Sequence, residues 1–275
     1  IEAATGVFAW NLQSAADARQ FEPQPFDGSF ISSDRAGNLL AICGNQGEVQ
    51  LWNLDAGRNV GGWSIGTEQD VSDMRLSPDG KMLAVIAGAP LSEIRLFDSH
   101  SGSLKSALAV PSGAAGRLAF SPGGKQLSLK IDGDLLLWNL HDSPPLRVAW
   151  AHAPSVTALE YSPGGALVAT CGSDRLVKFW NPATGRLLAT MSGHRGSVDS
   201  LAFSPDGRSL VTAGDDGSIK VWNVAAREEL FDLYQHNDKG LVAVRISPDG
   251  RWLAGITSFH GRVLLFDLSG PDTQP

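Results

Sequence analysis

A closing dipeptide that returns about every forty residues constrains this chain more than any other feature. It reads Trp-Asn at Trp10, Trp52, Trp138, Trp180 and Trp222, and Phe-Asp at Phe97 and Phe266. Ahead of each closure from Trp52 onward lies a turn: Ser204-Pro205-Asp206-Gly207, echoed at residues 77–80, 121–124, 162–165 and 247–250, and loosely at 32–34. Proline presets φ there and glycine accepts φ > 0. Residues 193–223 show the whole unit, with apolar runs at 198–203, 210–214 and 218–222 separated by that turn and by Asp215-Asp216-Gly217. Three such strands cannot bury an apolar face alone, so each unit needs its neighbours. Further apolar runs at 59–65, 104–110, 146–150, 187–191 and 230–234 read as outer strands.

A period near forty, a closing Trp-Asn and a turn-rich, strand-only pattern resemble the WD40 repeat family. The resemblance implies an all-β fold, a β-propeller of four-stranded blades around a central channel, with residues 1–268 as one domain and 269–275 as a polar tail. The strand count fits no whole number of blades. Residues 5–11 read as a third strand and 17–21 as an outer strand, while the Phe266 unit lacks its fourth. Seven blades, one of them incomplete here, is the expectation by family habit. Six is the alternative, with residues 17–21 completing the Phe266 blade.

The family's stabilising tetrad is a buried relay of His, Ser/Thr, Asp and Trp. Carried over position by position, it is complete twice: His152, Thr170, Asp174 and Trp180, then His194, Thr212, Asp216 and Trp222. A third blade keeps Ser128, Asp132 and Trp138 but has Pro111 at the His position. The Trp52 and Phe97 blades lack the relay, and the last blade has His260 and Ile256 in its place. The two complete blades are therefore expected to be the rigid sector.

The residues argue against most chemistry. A His–Ser/Thr–Asp set inside one blade invites a catalytic triad, but a nucleophile must be exposed beside an oxyanion site, and no Gly-x-Ser-x-Gly elbow occurs. Gly80-Lys81 and Gly124-Lys125 are hairpin turns and not phosphate loops. The six histidines lack metal-ligand spacing, and the Asp-Gly pairs lack the oxygen ligands of a calcium loop. No catalytic residue, metal or cofactor is expected, nor a small-molecule substrate. A net charge of −7 speaks against nucleic acid and anionic lipid, and no apolar run is long enough to span a bilayer. No charged-then-apolar leader is read at the N-terminus. Cys43 and Cys171 fall in second strands three repeats apart, so two buried thiols are expected. With no glycosylation sequon, this favours the cytoplasm, although periplasmic proteins share both features. Trp63 and Trp150 lie on outer strands, where packing between blades is the expectation.

What remains is surface, and a protein or peptide partner. The resemblance implies docking at the start of first strands and in the turn before the tetrad Asp. Here those positions are Ser197, Asp199 and Asp215, with Ser155, Thr157 and Ser173 in the neighbouring blade, Asp70 and Ser72 in the Phe97 blade, and Phe259 in the last. The implied function is a non-catalytic scaffold, possible as a module of something longer, whose partner has basic and apolar character. A propeller that gates or assists a hydrolase is the alternative.

Overall fold

The computed structural model describes residues 7–9, 19–21, 30–44, 47–66, 71–87, 93–110, 115–141, 145–148, 150–235, 240–258 and 262–269. Every regular element among them is a β-strand, and all pairings are antiparallel between neighbours in sequence. The chain divides into two compact units, residues 1–112 and 113–275.

In the first unit, β1 (Val7–Ala9) pairs with β2 (Arg19–Phe21); the Trp10 closure lies outside the described residues. A four-stranded sheet follows, made of β3 (Phe30–Ser33), β4 (Leu39–Cys43), β5 (Glu48–Asn53) and β6 (Arg58–Ser64). The next comprises β7 (Val71–Leu76), β8 (Met82–Ala87), β9 (Glu93–Asp98) and β10 (Leu104–Ala109). The central strands β4 and β8 read as continuous apolar runs because both of their faces are covered. The core fills the space between the two sheets, with Leu51, Met74, Leu83 and Val85 buried together.

The second unit repeats the plan. One sheet holds β11 (Ala115–Phe120), β12 (Gln126–Ile131), β13 (Asp134–Asn139) and β14 (Leu146–Val148). The next holds β15 (Val156–Tyr161), β16 (Val168–Gly172), β17 (Leu176–Trp180) and β18 (Leu187–Ser192). A third has β19 (Val198–Phe203), β20 (Ser209–Gly214), β21 (Ser218–Asn223) and β22 (Glu228–Gln235). The last has three strands, β23 (Leu241–Ile246), β24 (Trp252–Thr257) and β25 (Val263–Asp267). First strands β11, β15, β19 and β23 touch in succession, and a separate apolar cluster fills each gap between neighbouring sheets. This is the stacking of blades expected of a β-propeller.

First strands lie at sheet edges, where backbone groups have no ladder partner. Side chains of the preceding first strand take over that role. Ser32 Oγ accepts the Leu76 N–H at 2.9 Å in the first unit. In the second, Ser200 Oγ accepts the Val244 N–H at 3.1 Å, and the Glu160 carboxylate accepts that of Phe203. The Thr157 hydroxyl donates to the Val198 carbonyl. Edges that would otherwise recruit foreign strands are thereby satisfied from within.

The tryptophans off the closures behave differently from one another. Trp63 packs on Phe97 with ring centroids 4.7 Å apart and donates Nε1–H to the Ser99 carbonyl. Trp150 does not pack. Strand β14 stops at Val148, and Trp150 adopts φ 57 with 80% of its surface exposed. Its amide is tied to Asp134 Oδ1 at 2.8 Å, which turns the chain out of the sheet before the indole can fold back.

Candidate functional site

The two complete tetrads are continuous hydrogen-bond chains. Trp180 Nε1–H donates to Thr170 Oγ1 at 2.8 Å, and Thr170 Oγ1 lies 2.7 Å from His152 Nε2. His152 Nδ1 in turn lies 2.8 Å from Asp174 Oδ1. The carboxylate can only accept, so Nδ1 carries the proton and the threonine hydroxyl donates to Nε2. Burial, opposed by Asp174, holds the His152 pKa below its ordinary value, which keeps this tautomer neutral. The approach is close enough that a Cβ on Gly172 would sit 2.6 Å from His152 Cγ.

The second chain has the same order: Trp222 Nε1–H to Thr212 at 2.8 Å, Thr212 to His194 at 2.7 Å, and His194 to Asp216 at 3.0 Å. Asp216 also accepts from the Arg195 amide and the Ser218 hydroxyl, each at 2.7 Å. Burial opposes its ionisation, but these donors hold its pKa well below the usual carboxylate range. Each hydroxyl is consumed inside the chain and each His and Thr is buried, so neither set presents a nucleophile. In the sheet of Trp138 the order is broken. Ser128 turns its hydroxyl to the Ala119 carbonyl at 3.5 Å, and the buried Trp138 Nε1 has no partner among the described residues.

The tetrads stiffen the strand ends that carry the candidate docking residues. Ser197 Oγ–H donates to Asp199 Oδ1 at 2.8 Å, and the Asp215 amide donates to the Ser197 carbonyl at 2.9 Å. Asp199 is half-buried and Asp215 exposed. Burial pushes the Asp199 carboxyl up to about 6; the Ser197 hydroxyl opposes this and the facing Asp215 carboxylate adds to it. In the adjoining sheet Ser155 and Ser173 share a hydrogen bond at 2.7 Å. Thr157, committed to Val198, is a link between strands more than a free surface group. Ser72, in the first unit, lies exposed with its hydroxyl 3.5 Å from the Ile86 carbonyl. Asp70 and Phe259 lie outside the described residues. Among the described residues no group of His, Cys, Asp and Glu is arranged to hold a metal, and Cys43 and Cys171 are buried free thiols.

Residues 143–181, 185–223 and 227–267 match the family model for the WD domain, G-beta repeat. The chain carries WD40 repeats. Each matched repeat takes in the outer strand of one sheet and the first three strands of the next, so consecutive WD40 repeats interlock their sheets. The chain is similar to Protein groucho of Drosophila melanogaster, 28% identical over 152 residues, which is 53% of this chain and 20% of groucho. An uncharacterized WD repeat-containing protein of Synechocystis is 27% identical over 123 residues, 44% of this chain and 35% of that protein. The chain thus spans well under half the length of either relative. WD40 repeats suggest a protein-interaction scaffold, and such repeats are generally non-catalytic.

Sequence reasoning missed the Glu160 carboxylate and the side-chain capping of first strands. A charged residue amid the apolar run 156–161 was the available signal.

Proposed function

We propose that the WD40 repeats act as a non-catalytic scaffold that takes a peptide or protein partner of basic and apolar character. The docking end is the one where Ser155, Ser173, Ser197, Asp199 and Asp215 lie. The facing Asp199 and Asp215 carboxylates, held at one end of a single relay-locked sheet, carry this reading. A carboxylate whose ionisation burial and a neighbouring like charge oppose, as for Asp199, is relieved by an incoming guanidinium or ammonium, and a rigid frame loses little entropy when it binds. Cys43 and Cys171 remain reduced in such a role, consistent with a proposed cytoplasmic setting.

The test is a pull-down from native extract with the wild-type chain and an Asp199→Ala/Asp215→Ala variant, read by mass spectrometry. A partner kept by the first and lost by the second is the expected result. Equal recovery by both would reject this end of the sheets. A cationic partner favours the ionised form of Asp199, so binding should release protons. Affinity for the captured partner should fall several-fold between pH 7 and pH 5, and a flat profile in calorimetry would speak against contact with this pair.

A further inference from the structure

At the other end of the same sheets, the turn after β19 and the turn between β21 and β22 flank a groove of about 470 Å³. Its floor is apolar, formed by Leu167, Phe179, Leu188 and Val224 at the margin of the core between the two relay-bearing sheets. Its rim is basic, formed by Arg208 and Arg227. The Arg208 side chain is 88% exposed, and its only ion pair among the described residues is a distant one to Asp206 at 3.8 Å. Arg227 makes no ion pair among the described residues and donates from Nη1 to the Leu188 carbonyl at 2.7 Å.

Arg227 stands where three of the corresponding turns use glycine, Gly57, Gly102 and Gly185. Its amide closes onto the carbonyl four residues back, Asn223, as Gly185 does onto Asn181 and Gly102 onto Asp98. Gly185 and Gly102 have φ 68 and 67, and Gly57 at the corresponding place has φ 62. Arg227 takes the same left-handed conformation, φ 62, with a side chain attached. That conformation brings Cβ close to the following carbonyl oxygen and is strained for an L-residue. Such strain concentrates where a side chain's placement is itself of use. Here it places a guanidinium over an apolar groove on a chain whose net charge is −7.

We propose that this groove docks a short segment of a partner protein in which leucine or phenylalanine is flanked by carboxylates. The floor removes the apolar side chain from water, and the planar guanidinium forks hold carboxylates in paired hydrogen bonds. The volume falls within the range of about 300–1,000 Å³ typical of ligand sites. The charge is opposite to that of the Asp199 end, so the two ends select different partners, and this site stands independently of the one proposed above.

The probe is a fluorescein-labelled octapeptide, Gly-Glu-Asp-Leu-Phe-Glu-Asp-Gly, titrated with the full chain and read by fluorescence anisotropy. Saturable binding in the micromolar range is expected. Arg227→Gly, which introduces the residue found at positions 57, 102 and 185, and Arg208→Ala should each weaken it about tenfold or more. Replacing the acidic residues by their amides, or Leu-Phe by Ser-Ser, should do the same, whereas Asp199→Ala/Asp215→Ala should leave it unchanged. Absence of saturable binding up to millimolar concentrations would overturn the proposal. So would undiminished binding by both arginine variants, or an oligothymidylate that binds more tightly than the peptide. Thermal melting of Arg227→Gly separates a structural role: a lowered Tm with normal peptide binding would make Arg227 a staple between sheets, and the proposal would fall.

Discussion

At the residue scale, Thr212 is the pivot of its sheet, because one hydroxyl accepts from Trp222 and donates to His194. Thr212→Val keeps the shape and strands both partners in the core. Each orphaned group costs about 1–3 kcal/mol, so a loss on the order of 3 kcal/mol is expected in urea denaturation. Ser128→Ala offers the contrast, since its hydroxyl makes a long 3.5 Å contact to the Ala119 carbonyl beside Tyr161, and Trp138 Nε1 is unpartnered among the described residues. It should cost less than 1 kcal/mol, and equal losses for the two variants would show that the relay is not what stabilises the complete sheets. Glu160 adds a pH dependence. Burial pushes its carboxyl up to about 7, against the pull of Arg245 and the Phe203 amide. The folded chain therefore holds a proton there that the unfolded chain has released above its ordinary value of about 4.3. The sign follows: this contribution to stability is present in full below that value and is lost as pH rises toward 7. Glu160→Gln keeps an acceptor for the Phe203 amide and should gain stability on the order of 2 kcal/mol over wild type at pH 8, with no gain at pH 4. A difference that did not vary with pH would mean the carboxylate is already solvated.

At the element scale, the turns also form a contact line between sheets. A Cβ on Gly165 would lie 3.5 Å from Pro122 Cδ, one on Gly207 3.4 Å from Pro163 Cδ, and one on Gly250 3.5 Å from Pro205 Cδ. Each proline thus rests against the glycine of the following turn, and each of those glycines has φ between 70 and 74. Gly207→Ala carries both a left-handed alanine and a tightened Pro163 contact, and should cost about 1–2 kcal/mol. Gly123→Ala, with open space around it and no positive φ, should be near neutral; similar Tm values for the two variants would remove the turn contact from the account. These turns were readable in the sequence because Ser-Pro-x-Gly carries its geometry in residue type. The strands were readable for the same reason: the expected run 198–203 is β19, and 187–191 falls within β18. The limits of β14 were not, because an apolar Ala-Trp after Val148 gives no hint that Asp134 will capture the Trp150 amide from another strand. The Asp199–Asp215 pair could be placed by position in the repeat, but not its shared electrostatics, since those depend on how deeply one carboxylate sits. The basic groove escaped notice because Arg227 and Leu188 lie far apart in sequence, and only comparison with Gly57, Gly102 and Gly185 marks Arg227 as unusual.

At the scale of the whole second unit, order should follow the relays and the number of strands beyond each apolar run. The sheets of β15–β18 and β19–β22 have both a complete relay and a fourth strand, and β21 is buried nearly throughout. Among the described residues the last sheet has neither. Its third strand, β25, exposes Val263 at 66% and Leu265 at 50%, and no strand covers its outer edge among the described residues. Backbone opening scales with the contacts that must be broken, so hydrogen exchange should divide the unit along this line. Amides of β16, β20 and β21 should exchange slowest, near the rate set by global unfolding. Those of β25 should exchange orders of magnitude faster, with β24 between them because it is paired on both sides. Thr212→Val should then speed exchange in β20 and β21 while leaving β24 and β25 as they were. Uniform protection across the four sheets would show instead that packing between sheets, and not the relay within each, sets the stability of the unit.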